Sequence, residues 1–139
     1  MATIVCEVRL TAAPLVLATD PPPAETGAVV DFWGVVRATE GDAQIAGIRY
    51  EAHAEMAEHQ LQLVADECVR AFDLSQLVVH HRIGFVAVGE ASLLVRVGSR
   101  HRAEAFRASA SIVDELKKRV PIWKHPVVAS AVASVPLSA

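Results

Sequence analysis

Basic side chains are the strongest candidates for chemistry in this chain, and several of them lie at the ends of predicted helices or strands. They are Arg37, His101, Arg102, Lys117, Lys118, Arg119 and Lys124. Arginines and a helix N-terminus favour the binding of an anion such as phosphate. A lysine beside other cations can act as an acid, a base or a nucleophile. Lysines and arginines at a helix C-terminus also simply favour the helix dipole, so an anion-binding site and a solvated helix end both stay open.

Other residue types give weaker signals for catalysis or metal binding. Trp123, next to Lys124, either caps the core or forms the wall of a pocket. His80 and His81 are adjacent in a predicted strand, so their side chains point to opposite faces and are poorly placed to share a metal ion. The chain contains no HExxH, GxxxxGKS/T, GxGxxG or GxSxG motif. We therefore predict no metal site, no nucleotide-binding loop and no nucleophile elbow of the types that these motifs form.

The composition is typical of a chain that forms one packed core. The 139 residues are 53% hydrophobic and 21% charged, and we expect a single domain over residues 1–139. The net charge of −3 argues against a general nucleic-acid binder. Cys6 and Cys68 are expected to be buried, reduced thiols. Because no apolar run is long enough for a bilayer, and Glu7 and Arg9 interrupt any signal peptide, we expect a cytoplasmic protein with no membrane contact.

The hydrophobic patterns place these residues in an α+β fold. Alternating or β-branched segments predict strands at 3–10, 27–37, 45–52, 77–85 and 91–99, and a last extended piece from 122 through the apolar segment 127–135. Apolar spacings of three and four predict helices over 53–72 and 101–119, the second ended by Pro121. Gly34 indicates a bulge or a close backbone approach, the proline-rich stretch 19–27 a loop or linker, and 39–43 a mobile loop. Strands that cluster as hairpins favour a mostly antiparallel sheet.

Several motifs also occur in the order found in one known family. They are FWGVVR at 32–37, YEA at 50–52 with MA at 56–57, HRIG at 81–84, VGE at 88–90, SRHR at 99–102 with AF at 105–106, and LK at 116–117 leading to PIWK at 121–124. This ordered set resembles the large, catalytic subunits of molybdopterin synthases over residues 27–124. The resemblance implies an α/β-hammerhead type of α+β fold with two main helices. It also implies a sulfurtransferase that converts cyclic pyranopterin monophosphate to molybdopterin and needs no metal or other cofactor of its own.

The same resemblance implies partners and roles for individual residues. The large subunits would form a homodimer, with a small ubiquitin-like sulfur-carrier subunit at each end whose C-terminal Gly-Gly thiocarboxylate enters the pocket. Lys117 and Lys124 match the catalytic lysines: Lys117 would stabilise the thiocarboxylate and move protons, and Lys124 would support an intermediate. The positions that match the substrate-binding site are Val35, Val36, Arg37, His101, Arg102, Lys117, Lys124, His125 and Pro126. Among these, Arg37, His101 and Arg102 would neutralise the phosphate and pterin oxygens.

The predicted second helix raises a geometric problem for such a site. Arg102 and Lys117 lie near its opposite ends, about 22 Å apart at 1.5 Å per residue. One small substrate cannot touch both in a single chain, so we expect a site shared between two subunits, with His101 and Arg102 supplied by the second.

The sequence also departs from the family after Trp123 and Lys124. His125-Pro126 replaces the usual basic residue and glutamate, and the apolar segment 127–135 replaces a polar tail. This departure favours an alternative, a non-catalytic paralogue that dimerises and binds a carrier protein or an anion. Retention of both Lys117 and Lys124 favours the enzyme.

Overall fold

The computed structural model describes residues 4–17 and 19–129 of the chain. Within this range the chain forms eight strands and two helices. In chain order they are β1 (Val5–Thr11), β2 (Ala28–Val35), β3 (Thr39–Glu40), β4 (Ala43–Ala52), α1 (Ala54–Phe72), β5 (Leu74–Arg82), β6 (Gly84–Ala87), β7 (Ala91–Ser99), α2 (Arg102–Arg119) and β8 (Ile122–Val128). The predicted apolar segment 127–135 lies outside the described residues from position 130 onward.

A four-stranded sheet in the order β1-β5-β7-β2 supports both helices. β1 runs parallel to β5, whereas β5 and β2 both pair antiparallel with β7. The main core forms where α1 and α2 pack on this sheet, around side chains such as Leu61, Val79, Val95 and Ile112, none of which has exposed surface. The predicted α+β fold, with two main helices and mostly antiparallel pairing, is confirmed.

A second, smaller sheet is organised around β4. β6 and β8 both pair antiparallel with β4, and β3 forms a hairpin with its first residues. Its own small core contains Val36, Ile48, Tyr50 and Val86. This second sheet matters for the site because it carries β8 and with it Lys124.

The segment 77–85, predicted as one strand, is divided between the two sheets. β5 ends at Arg82 in the first sheet, and β6 begins at Gly84 in the second. Gly84 has a φ of 88°, in a region that residues with a side chain rarely adopt. The prediction of a single strand is therefore wrong, because this glycine allows the chain to leave one sheet and enter the other.

The chain after β2 is also more ordered than the sequence indicates. The segment 39–43 is predicted as a loop, but Thr39–Glu40 forms β3 and pairs with the start of β4. Gly41, with a φ of 59°, supplies the tight turn between these two strands. The loop prediction is wrong for these two residues, whereas the bulge expected at Gly34 is confirmed by a register shift there.

The two helices begin and end where local capping and proline chemistry dictate. His53 caps α1, accepting a hydrogen bond on Nδ1 from the amide of Met56 at 3.4 Å. α2 ends at Arg119, and Val120 is already extended, since the residue before Pro121 is excluded from helical conformation. Both helix predictions are confirmed, and Lys117 lies in the last turn of α2.

Candidate functional site

A cavity of about 550 Å³ lies where the ends of β2 and β7 meet the last turn of α2 and the second sheet. Its charged lining consists of Arg37, Glu40, Lys117 and Lys124. Most of its other lining residues are apolar: Phe32, Val35, Val36, Ile48, Leu93, Leu116, Val120 and Ile122. An apolar cleft with a few convergent charged groups is the usual form of a site for a small polar ligand.

Arg37 is positioned by the chain that leaves the bulge of β2. Val36 is 3% exposed, so its side chain anchors this segment in the core of the second sheet. Its amide donates to the carbonyl of Glu90 at 3.0 Å, and its carbonyl accepts from the amide of Gly89 at 2.9 Å. These two backbone hydrogen bonds fix the residue directly before Arg37.

The three basic side chains at the C-terminal end of α2 lie on two different surfaces. Lys117 lines the cavity, whereas Lys118 and Arg119 border a separate, shallow groove. The guanidinium of Arg119 bonds to Glu67 of α1 and lies 3.7 Å from Glu115, and the bond to Glu67 raises its pKa. The interpretation as an ordinary basic helix end therefore fits Lys118 and Arg119, and Lys117 alone remains a site candidate.

Lys124 reaches the same cavity from β8. It lies opposite Tyr50 in the β4–β8 pair, and residues directly opposite in an antiparallel pair share one face. Its Nζ is 3.8 Å from Glu40 Oε1, with the two side chains 52% and 37% exposed. An ion pair this exposed contributes little to stability, so Lys124 is available to a ligand.

Polar groups also occur in the buried part of the lining. Tyr50 donates from its hydroxyl to Ser92 Oγ at 3.2 Å, and Ser92 donates to the carbonyl of Gly34 at 3.4 Å. His81, only 6% exposed, forms a hydrogen bond from Nδ1 to the carbonyl oxygen of Arg82 at 2.7 Å. Burial lowers the pKa of His81, partly offset by that hydrogen bond.

The structure brings together some of the predicted site residues. Those that line the cavity are Val35, Val36, Arg37, Lys117 and Lys124. His101 and Arg102 lie at the other end of α2 and are outside the lining.

The predicted residues next to Lys124 on β8 are also outside the cavity lining. His125 has the opposite strand phase to Lys124, and its Nε2 lies 3.3 Å from Glu51 Oε1. Pro126 is exposed. Trp123 is 52% exposed and lies outside the lining, so it neither caps the core nor walls this cavity.

Four polar residues of the lining are not among the predicted site residues: Glu40, Tyr50, His81 and Ser92. His81 had a usable signal, since it is in phase with Leu77 and Val79, which face the main core. Its neighbour His80 faces the other side and bonds to Glu7, which confirms that the two imidazoles point apart.

Two further expectations concern cysteines and metals. Cys6 and Cys68 are free thiols. Cys68 is buried and Cys6 only partly so, and burial raises the pKa of Cys68 to about 11. Among residues 4–17 and 19–129 no three His, Cys, Asp or Glu side chains converge as a metal site would need. No helix in the described part of the chain has the length and apolar character to cross a membrane.

Comparisons with known proteins agree with the motifs. A family model described as MoaE protein matches residues 8–119. The molybdopterin synthase catalytic subunit of Pyrococcus abyssi is 42% identical over 104 residues, which cover 75% of this chain and 70% of that protein. The crystal structure of molybdopterin synthase from Staphylococcus aureus is 34% identical, with a TM-score of 0.71 over 76% of this chain and 77% of that chain.

A more distant structure shares the fold. It is a protein–protein complex of subunits 1 and 2 of molybdopterin-converting factor from Helicobacter pylori, 21% identical, with a TM-score of 0.63 over 76% of this chain and 68% of that chain. The resemblance found in the ordered motifs is confirmed by the family model and the close relative. The chain belongs to the MoaE protein family, the family of the molybdopterin synthase catalytic subunits that it resembles.

Proposed function

We propose that this chain transfers sulfur to cyclic pyranopterin monophosphate in the cavity lined by Arg37, Lys117 and Lys124, as the catalytic subunit of a molybdopterin synthase. The observation that supports this most directly is that two lysines from different elements line one cavity with an arginine. Membership of the MoaE family gives the reaction class, the synthesis of molybdopterin. A substrate phosphate and a thiocarboxylate are both anions, and a cavity in which cations outnumber carboxylates attracts them.

Each cation has a role that suits its chemistry. The guanidinium of Arg37 is a planar fork of donors that matches a phosphate, so we assign it to the cyclic phosphate. Lys117 stabilises the incoming thiocarboxylate and moves protons as its sulfur attacks the substrate side chain. Lys124 stabilises the acyl group of the intermediate through which the carrier is still attached. Val35 and Val36 border the same ligand, whereas His125 and Pro126 lie outside the lining and would contact only the carrier tail.

The sulfur donor in this proposal is a small ubiquitin-like carrier subunit with a C-terminal Gly-Gly thiocarboxylate. A flexible glycine tail is thin enough to enter a cleft that a folded domain cannot enter. The similar Helicobacter pylori structure is itself a complex of two subunits, which supports a protein partner here.

We further propose that two copies of this chain share each site. His101 and Arg102 lie at the N-terminal end of α2, and Lys117 lies in its last turn, about 22 Å away along the helix. Because one substrate cannot reach both ends, His101 and Arg102 would complete the cavity of the neighbouring subunit. A homodimer of large subunits, with a carrier at each end, provides this arrangement.

Reconstitution tests the activity. The chain is mixed with the thiocarboxylated carrier and cyclic pyranopterin monophosphate, and molybdopterin is measured for the parent, Lys117→Ala and Lys118→Ala. Lys118 is the matched control, because it is adjacent in the same helix but borders the other groove. We expect Lys117→Ala to lose about 10²-fold or more of the rate, the usual loss when a charge-stabilising group is removed, and Lys118→Ala to keep the parent rate.

The outcomes separate the enzyme from its alternative. Product from the parent and from Lys118→Ala, but not from Lys117→Ala, supports sulfur transfer at this cavity. A stable complex with the carrier and no product from the parent would instead support a binding-only paralogue.

Mixed dimers test whether the site is shared. Lys117→Ala and Arg102→Ala chains are each expected to be inactive alone. In a mixed, twofold-symmetric dimer one cavity carries both substitutions and the other carries neither, so one of its two cavities is active. Equal mixing makes about half of the dimers mixed, and this restores about a quarter of the parent activity. If both residues serve one cavity from one chain, mixing restores nothing and the shared site is refuted.

A further inference from the structure

His81 combines burial with a defined protonation pattern. It lies near the end of β5, is 6% exposed and lines the cavity with Lys117 and Lys124. Its Nδ1 is 2.7 Å from the carbonyl oxygen of Arg82. A carbonyl oxygen only accepts hydrogen bonds, so Nδ1 carries the proton of this bond. In a neutral imidazole the lone pair is then on Nε2.

The surroundings keep the ring neutral and fixed in orientation. Burial lowers the pKa of His81, so the neutral form dominates near pH 7. Tyr50 packs edge-on against the imidazole, with ring centroids 5.0 Å apart and an interplanar angle of 76°. The charged and titratable groups that share the cavity with His81 are Arg37, Glu40, Tyr50, Lys117 and Lys124. A neutral imidazole that is held in one orientation, with a lone pair on Nε2, can accept a proton.

The proposed reaction requires such an acceptor. Once the thiocarboxylate sulfur has replaced an oxygen leaving group on a substrate carbon, with a C–S bond formed and a C–O bond broken, the carrier stays attached to that sulfur as a thioester. Its release needs water: a C–O bond forms at the acyl carbon, the C–S bond breaks, and the electron pair leaves with sulfur as a substrate thiolate. One water proton must go to a base, and the other stays on the new carboxyl group until it ionises. No oxidant or reductant takes part.

We propose that Nε2 of His81 accepts this water proton, an assignment that rests on the proposed sulfur transfer. Arg37 cannot serve, because a guanidinium has donors only. The two lysines already have other roles in the proposed reaction, Lys117 at the incoming thiocarboxylate and Lys124 at the acyl group. Among the described residues of the lining Glu40 is the one carboxylate, but it is half-exposed and lies 3.8 Å from the ammonium group of Lys124. His81 is buried, and among the described residues its Nε2 has no hydrogen-bond partner. Lys124 then stabilises the oxyanion that forms as water attacks.

Two substitutions separate this role from a structural one. In His81→Asn the shorter amide occupies the place of Nδ1 and can still donate to the Arg82 carbonyl, but it has no group at the Nε2 position. His81→Gln places an amide near Nε2 that can accept a hydrogen bond but cannot take up a proton. His80→Asn is the matched control, since His80 is adjacent in the same strand but faces the other side and bonds to Glu7.

Single-turnover reactions, quenched at intervals and analysed by mass spectrometry, measure the covalent adduct of carrier and pterin. We expect both His81 variants to accumulate this adduct and to release it roughly 10²-fold more slowly or worse, as for loss of a general base. The KM for cyclic pyranopterin monophosphate should stay near that of the parent. The release rate of the parent should fall at acid pH as His81 is protonated, and the variants should lose this dependence. His80→Asn should match the parent.

The possible results distinguish this assignment from the proposed function. If the parent forms product and the folded His81 variants release the adduct at the parent rate, the assignment to His81 is overturned and sulfur transfer stands. Variants that melt like the parent but change only KM also overturn it. If the parent forms neither adduct nor product, the proposed function fails, and this assignment fails with it. A fully active His81→Asn protein with only a lowered melting temperature would show a purely structural histidine.

Discussion

Gly47 lies at a point where β4 has no room for a side chain. A Cβ at this position would be 2.5 Å from the carbonyl oxygen of Val86 and 2.5 Å from Cζ of Phe85. The Phe85 ring is 39% exposed and can turn away, but the Val86 oxygen belongs to the backbone of β6. Since ordinary contact begins at 3.4 Å, Gly47→Ala forces β4 and β6 apart by about 0.9 Å.

The expected loss of stability follows from the hydrogen bonds between these strands. A separation of this size takes a backbone hydrogen bond beyond its working length of about 3.2 Å. Losing one or two such bonds, at about 0.5–1.5 kcal/mol each, together with the strain of overpacking, predicts a loss of about 1–3 kcal/mol. For a chain of this size that corresponds to a fall in Tm of roughly 3–10 °C.

Thermal and urea unfolding measure this effect directly. Gly34→Ala is the matched control, because its Cβ would be 3.2 Å from Leu93 Cβ, only about 0.2 Å short of ordinary contact. We expect the control to lose less than about 1 kcal/mol. A Gly47→Ala protein that melts within about 1 °C of the parent would refute the close approach of β4 to β6.

Three further predictions concern charged or titratable groups. Glu40→Gln should change the free energy of unfolding by less than about 1 kcal/mol, since its pair with Lys124 is largely exposed. The same substitution should lower the KM for the proposed carrier, whose tail is anionic, because it removes a competing carboxylate. A raised KM would contradict this. Because burial lowers the pKa of His81, the unfolded chain binds more protons than the folded chain below about pH 6.5. The free energy of unfolding should therefore fall as the pH drops below this value, by at most about 1.4 kcal/mol per pH unit. Urea unfolding at a series of pH values should show a weaker pH dependence for His81→Asn than for the parent. The same pH dependence in both proteins would refute the prediction. Cys68, with its pKa raised to about 11, should resist iodoacetamide at pH 8 until the protein is unfolded; rapid labelling of the native protein, read by mass spectrometry, would contradict its burial.

The helices and most strands could be predicted because their determinants are local. Apolar residues at helical spacing fix α2, and Pro121 fixes its end. The division of 77–85 was not predictable in the same way, because it depends on a single glycine, Gly84, whose positive φ does not alter the hydrophobic pattern. β3 was missed for a related reason, since a two-residue strand exists only through its pairing with β4.

The cavity could be predicted only in part, because its members come from distant segments. Three of its residues could be predicted because they are basic and belong to recognisable motifs: Arg37, Lys117 and Lys124. Tyr50 and His81 become part of the site only because β4 of the second sheet lies against the end of β5. Such contacts depend on how two sheets meet, and no local pattern in the sequence reports that geometry.

The proposed shared site makes assembly a condition of activity. Phe106 is 62% exposed and lies on α2 one turn after Arg102, the residue that follows His101. A neighbouring subunit that covers this ring would gain about 2 kcal/mol or more from its burial and would receive His101 and Arg102 at the same time. Phe106→Asp should therefore dissociate the subunits and abolish turnover, although Lys117 and Lys124 are untouched. On dilution of the parent, the sedimentation coefficient and the activity per chain should fall together. A fully active Phe106→Asp monomer would show that each cavity is complete within one chain.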